Sequence, residues 1–302
     1  MTHLQTTKQW KTLGLTTRQI GNARRSGERV KVRRGVDRDP GELSEADRHR
    51  ALIRATLPLL HPDSVVSHAS AALLHGLPVR HGDAERVQIT RLGPAHGRRR
   101  RLVALHAAPL AKDEVTLIDG IPVTSLARTV ADLARTASFE WAVIAADAAL
   151  HAGLDPQTLA EQLERHPRRR GLTKGRAVLA FADARSESPC ESLSRVQFAR
   201  MDLPMPTLQH TIRAGNRILA RCDFWWEEFH LAGEADGKIK YAAPDRPGET
   251  AADVIMREKA REEQLLDHDV HLVRWGWDVA MNRPALEKRV RAALRRTRRA
   301  AA

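Results

Sequence analysis

Two cysteines in 302 residues, Cys190 and Cys222, are too few for a disulfide framework or a zinc set. No apolar run is long enough to span a bilayer, and no N-terminal stretch has the basic, apolar, small-residue order of a secretory signal. The expectation is a soluble, cytoplasmic protein with no membrane partner. The central region lacks a Gly-rich phosphate loop, a nucleophile constellation and a His/Cys set at metal-ligand spacing. Acid is scarce near the N-terminus, where residues 1–38 hold ten Lys and Arg against Glu28 and Asp37 alone. The whole chain carries a formal charge of +13. A surplus concentrated at one end points to contact with nucleic acid there; a basic, solvated surface is the plainer alternative.

The length suits two or three domains, and the patterning divides the chain at 1–50, 51–182 and 183–302. In the first segment, Thr16 can cap a short helix that Gly27 ends, and Val30 and Val32 then alternate with basic residues as a strand does. A helix followed by a small basic ribbon is the pattern of a winged helix-turn-helix. On that reading Arg18, Gln19, Asn22, Arg24 and Arg25 lie on the recognition helix, where such side chains read base edges. Arg29, Lys31, Arg33 and Arg34 lie on the wing against phosphates. A protein-docking module of the same size is the alternative.

The middle segment predicts helices over Asp47 to Leu60, Ser67 to His75 and Leu126 to Arg135, then three more before Ala184. Short strands are expected at Val87 to Thr90, Leu102 to His106 and Ile121 to Thr124. His68 and His75 share a helix face and are expected to pack rather than bind a ligand. Arg98 to Arg101 form a run able to grip a phosphate backbone. The segment as a whole is expected to be a mostly helical scaffold.

The C-terminal segment predicts helix, three strands, helix, strand, helix. Ser188, Pro189 and Glu191 have the spacing of a capping box with Pro at the first helical position. A tight turn centred between Glu228 and Phe229 would set Asp223 opposite Glu234, with Asp236 on the same face as Glu234. Three crowded carboxylates call for neutralisation, either by a hard divalent cation or by Arg221 and Lys238 as counter-charges.

The runs "LGLTTRQIGNARRSGERVKVRRGV", "SHASAALLHGLP" and "IPVTSLARTVADLAR" resemble AbiEi-type antitoxins of type IV toxin–antitoxin systems over residues 1–180. The resemblance implies a DNA-binding N-terminus that represses its own operon and a cognate toxin encoded nearby. "SPCESLSR", Asp223-Phe224, Glu234-Ala235-Asp236-Gly237 and "VRWGW" resemble the very-short-patch-repair-like branch of PD-(D/E)XK endonucleases over residues 183–280. That resemblance implies Mg²⁺ or Mn²⁺ held by Asp223, Glu234 and Asp236, with help from Glu191, and hydrolysis of DNA phosphodiesters. The lysine usual two positions after the acid is absent; Asp236 stands there, and Lys238, Lys240 and Lys259 are the substitutes. The overall expectation is an α/β protein: a winged helix, a mostly helical middle and an endonuclease-like domain. Its function would be a metal-dependent endonuclease acting on double-stranded DNA, in phage defence, or an antitoxin and autorepressor whose last domain no longer cuts.

Overall fold

The computed structural model describes residues 3–91, 101–236 and 250–300, and the chain is mixed α/β. It divides into two units that interleave: Met1–Thr136 with Pro156–Leu172, and Ala137–Asp155 with Thr173–Ala302. The three sequence segments therefore do not map one-to-one onto the units, because residues 137–155 join the C-terminal unit and residues 156–172 return to the first.

Unit 1 opens with β1 (Leu4–Thr6), α1 (Thr7–Thr12), α2 (Thr17–Arg25), β2 (Val30–Arg33) and β3 (Val36–Arg38). Two T-T-x-Q runs start the helices. Thr6 with Gln9, and Thr16 with Gln19, each close a capping box that satisfies orphan backbone donors of the first turn. Gly27, at φ +81°, follows the end of α2. Gly35, at φ +84°, lets Arg33 pair with Val36 across a two-residue turn. The strands form a sheet ordered β1-β3-β2, and Trp10 and Ile20 bury the inner faces of the helices.

Next come α3 (Glu45–Thr56), β4 (Val65–Val66), α4 (His68–Leu74), β5 (Val87–Arg91), β6 (Val103–Ala107), β7 (Val115–Ile118), β8 (Ile121–Thr124) and α5 (Leu126–Thr136). The expected helical scaffold is thus built on a five-stranded sheet, ordered β6-β5-β4-β8-β7, of which three strands were expected from sequence. Val66, Val87, Ile89, Ile121 and Val123 form its core with Ile53, Ala71 and Leu74. The small side chains of α4, all buried, allow the close packing that its alanines predict. After α6 (Phe139–His151), which belongs to unit 2, α7 (Pro156–Glu164) packs on α5.

Unit 2 holds α6, α8 (Leu172–Phe181), α9 (Pro189–Phe198), β9 (Thr207–Ala214), β10 (Arg217–Trp226), β11 (Leu231–Asp236), α10 (Ala251–Leu266), β12 (His271–Gly276), α11 (Trp277–Met281) and α12 (Arg283–Ala300). From α9 onward the order is the one predicted, with the short α11 added. The sheet runs β12-β11-β10-β9; β11 and β12 are parallel and the other pairs antiparallel. Phe198, Phe224, Trp226 and Trp275 meet edge-on, tilted or stacked at centroid distances of 5.2–6.4 Å and fill one side of the sheet. Gly233 lies beneath these rings: a Cβ there would come within 2.8 Å of Trp275 and 2.9 Å of Trp226.

Candidate functional site

The β10–β11 pairing sets Phe224 against Gly233 and Trp226 against Leu231, which centres the turn between Glu228 and Phe229. Continued by one residue, this register puts Asp223 opposite Glu234. On β9, Leu208 pairs with Phe224 and His210 with Cys222, so Gln209 stands at the level of Asp223. On β12, Arg274 pairs directly with Glu234. A polar row of Gln209, Asp223, Glu234 and Arg274 thus crosses four strands.

Each carboxylate in this row has a donor. One oxygen of Glu234 accepts from Arg261 of α10, and the other accepts from Nε of Arg274 at 2.7 Å. Glu258 accepts from the same two arginines, at 3.0 Å from Arg274 and 3.4 Å from Arg261. Glu258, Arg261 and Glu262 face the row together because residues three and four apart share a helix face. Burial acts to lower the pKa of Arg274, but its hydrogen bond to Glu234 and the charges of Glu234, Glu262 and Glu258 together leave it raised. Oδ2 of Asp223 accepts from the backbone N–H of Ala235 at 2.8 Å. Burial, then Asp223 and Glu234, push the thiol of neighbouring Cys222 up to about 12.

Glu191 approaches at the β9 edge. Its carboxylate accepts from Gln209 Nε2 at 2.8 Å and from the backbone N–H of Glu187 at 2.9 Å. Ser188 caps α9 through the N–H of Glu191, as expected. The carboxylate does not return to Ser188 N–H to complete the box, because Gln209 and the Glu187 N–H hold it. Gln209 itself adopts φ +52°, a strained conformation for a non-glycine residue within a strand. Burial raises the pKa of Glu191.

Two expected counter-charges act elsewhere or lie beyond view. Arg221 pairs with Glu187. Lys238 and Lys240 lie outside the described residues, as does the side chain of Asp236. Lys259 is exposed and sits 3.9 Å from Glu263, so Arg261, not Lys259, is the α10 cation that reaches Glu234. Among the described residues no three His, Cys, Asp or Glu side chains are grouped to hold a metal. The donors present at Glu234 do not fit a divalent cation: both oxygens are held by guanidinium groups, whose positive charge opposes a second cation at the same place.

In unit 1 the expected DNA-contacting residues separate into engaged and open sets. Arg24 binds buried Asp37 through two parallel hydrogen bonds of 2.8 and 2.7 Å, which ties α2 to β3 and takes Arg24 out of the base-reading set. Arg29 pairs with Asp39 and lies 4.3 Å over the Trp10 ring. Arg25 donates to Asn22, and Gln19 is held in the α2 capping box. Arg18, Lys31 and Arg34 are exposed. Arg33 is half-buried, and its Nε and Nη1 have no hydrogen-bond partner.

His68, at the start of α4, and His75, just after its end, do not meet in a site. His68 is buried and stacked on His106 at 3.6 Å, and burial lowers its pKa to about 3. His75 binds the carbonyl of Thr124. Sequence reasoning did not single out Gln209, Arg274 or Arg91. Local spacing carries no sign of them, since Arg274 lies 40 positions from Glu234.

The chain matches no protein-family model. Uncharacterized proteins MT2308 and Rv2248, from two strains of Mycobacterium tuberculosis, are each 31% identical to it over 149 residues, 49% of this chain and 52% of theirs. The crystal structure of the RV2827C protein from the same organism is similar with a TM-score of 0.38 at 16% identity, over 70% of this chain and 84% of that one. The chain spans about half the length of the curated relatives it matches.

Proposed function

We propose that the chain is a DNA-binding regulator of the antitoxin and autorepressor type, with a nuclease-like second unit that does not cut. The observation that carries this reading is the fixation of Glu234 between Arg261 and Arg274. An acid held by two guanidinium groups is a structural anchor rather than a metal ligand. DNA binding is supported by the order helix, turn, helix, ribbon at the N-terminus and by exposed Arg18, Lys31 and Arg34, for which no acid partner occurs among the described residues. Arg18, on α2, is the base-reading candidate left open, with Lys31 and Arg34 as phosphate contacts. In the cell, the partners would be operator DNA and a cognate toxin.

A second reading, the metal-dependent endonuclease, draws on the opposition of Asp223 and Glu234 across β10 and β11. It requires both arginines to release Glu234.

One pair of measurements separates the two. Fluorescence anisotropy on duplex DNA from the protein's own promoter should show binding that weakens with salt. Lys31→Ala with Arg34→Ala should lower the affinity about tenfold or more and reduce the salt slope by roughly two. Supercoiled plasmid incubated with Mg²⁺ or Mn²⁺ should remain uncut. Nicking that disappears in Asp223→Asn would replace the first reading with the second, and unchanged DNA affinity in the double variant would end the assignment of the N-terminal face.

A further inference from the structure

Unit 1 contains a cavity of about 730 Å³ between β2, the end of α3 and the strands β5 and β6. Its charged lining is of one sign: Lys31, Arg33, Arg34, Arg91 and Arg101. Among the described residues no acid lines it, and none of the five cations has an acid partner. Several polar atoms in its wall are buried without any hydrogen bond: Nε and Nη1 of Arg33, Nε of Arg91, and the hydroxyls of Thr56 and Ser64. Thr56 is 0% exposed and Ser64 3%.

Buried polar groups in folded proteins are almost always satisfied, and a group left unsatisfied carries a desolvation penalty. Five such atoms on four residues around one cavity are a set, and the set has a common preference. Guanidinium N–H groups donate and accept nothing; the two hydroxyls can also donate. All of them are complementary to an acceptor carrying negative charge. The rest of the lining is aliphatic, including Leu59, Leu60, Ile89 and Leu105, so the cavity also has room for an apolar portion. The volume lies within the range of small-molecule sites, roughly 300–1,000 Å³.

We propose that this cavity is a binding site for a soluble organic polyphosphate of nucleotide size. Arg33 and Arg91 hold the phosphate oxygens in the interior with the Thr56 and Ser64 hydroxyls. Lys31, Arg34 and Arg101 balance the remaining charge nearer the opening, and the aliphatic wall covers the organic body. A single inorganic anion would leave most of the volume and several of the cations unmatched. Resting on the DNA-binding reading, one consequence follows: Lys31 and Arg34 serve both ligands, so an occupied cavity competes with duplex DNA.

Calorimetry on the full chain, with no DNA present, tests the site using ATP, pyrophosphate and adenosine as probes. ATP should bind with a stoichiometry of one and about tenfold more tightly than pyrophosphate, with no measurable binding of adenosine. Arg33→Met should weaken ATP about tenfold or more, as should Arg91→Gln. Arg168→Ala, an exposed arginine outside the cavity, should leave affinity unchanged. ATP should also raise the melting temperature of the wild type. The proposal is overturned if neither ATP nor pyrophosphate gives saturable heat up to about 5 mM, or if a folded Arg33→Met or Arg91→Gln binds ATP as the wild type does. It is also overturned if Arg168→Ala weakens ATP as much as they do. Should ATP bind in this manner without displacing duplex DNA, the cavity stands and the shared DNA face falls; should DNA bind and ATP not, the reverse holds.

Discussion

In unit 2 the acids of the β10–β11 hairpin find donors within the protein, whereas in unit 1 a group of cations around a cavity does not. Glu234 takes two guanidinium groups, Asp223 a backbone N–H, and Glu191 an amide and a backbone N–H. Arg33 and Arg91 keep unsatisfied buried donors. The difference does not arise from looser construction of unit 1, which elsewhere draws its buried acids and arginines into ion pairs, although Nη2 of Arg128 also has no hydrogen-bond partner. Arg128 reaches Glu114 at 2.8 Å and Asp132 at 2.9 Å, Arg169 reaches Asp132 at 2.6 Å, and His166 reaches Glu114 at 3.0 Å. In the same cluster Arg135 donates to the carbonyls of Leu163, His166 and Arg169. Charge closed on itself holds the fold; charge buried and left open is available to a partner. Clustering of acids in the sequence points to the hairpin, whereas the unsatisfied buried donors line the cationic cavity of unit 1.

The comparison breaks most readily at Asp132, which is fully buried between Arg128 and Arg169. Asp132→Asn removes the negative charge from beneath two guanidinium groups. Breaking a buried pair by neutralising one partner costs about 3–5 kcal/mol, and that loss should appear in the urea midpoint. A wild-type midpoint in Asp132→Asn would mean that closed charge is no more structural than open charge.

Acid should act on the same unit through His68. Burial holds its pKa near 3, below the ordinary 6.5. Above 6.5 the imidazole is neutral folded and unfolded, and its contribution to stability is complete. As pH falls from about 6.5 toward 3 the unfolded chain takes up a proton that the folded chain refuses, so stability declines. Between pH 6.5 and 5 one such group removes about 2 kcal/mol. His49, also lowered by burial, adds the same sign. His68→Asn keeps a side chain that tolerates the φ of +53° and should flatten the pH dependence of the melting temperature by about one proton.

Arg274→Met probes the closed row of unit 2. Glu234 keeps Arg261, and both side chains are partly solvated, so a loss of about 1–2 kcal/mol is expected from denaturant melts. A gain of Mg²⁺-dependent nicking in this variant would show instead that the arginine restrains a latent site.

Much of this arrangement was readable from sequence, and the rest was not, for identifiable reasons. A tight turn fixes strand register, so the opposition of Asp223 and Glu234 could be drawn from the hairpin alone. Capping follows from short local spacings, so Thr16 and Ser188 were legible. Val65–Val66 was missed because two residues give too little alternation to separate a strand from a loop. The partners of Glu234 lie 27 and 40 positions away, and only the fold brings them together. Arg33 and Arg91 belong to different sheets, so no local pattern links them. Charge count marks the N-terminal region as basic, but it cannot separate Arg24, committed to Asp37, from Arg33, whose Nε and Nη1 have no partner.

The smallest effect, and the sharpest, is expected at Arg33. If its buried donors are held open for a ligand, the empty protein carries an unfavourable group that the fold does not require. Arg33→Met keeps most of the side-chain volume and removes the charge and the unsatisfied donors. The variant should melt at the wild-type temperature or slightly above it, a change between zero and about 1 kcal/mol of added stability. This is opposite in sign to Asp132→Asn and Arg274→Met. Trading stability for open charge is the mark of a site held ready for a partner. Destabilisation of Arg33→Met comparable to that of Asp132→Asn would place Arg33 with the closed charges and remove the contrast between the two regions.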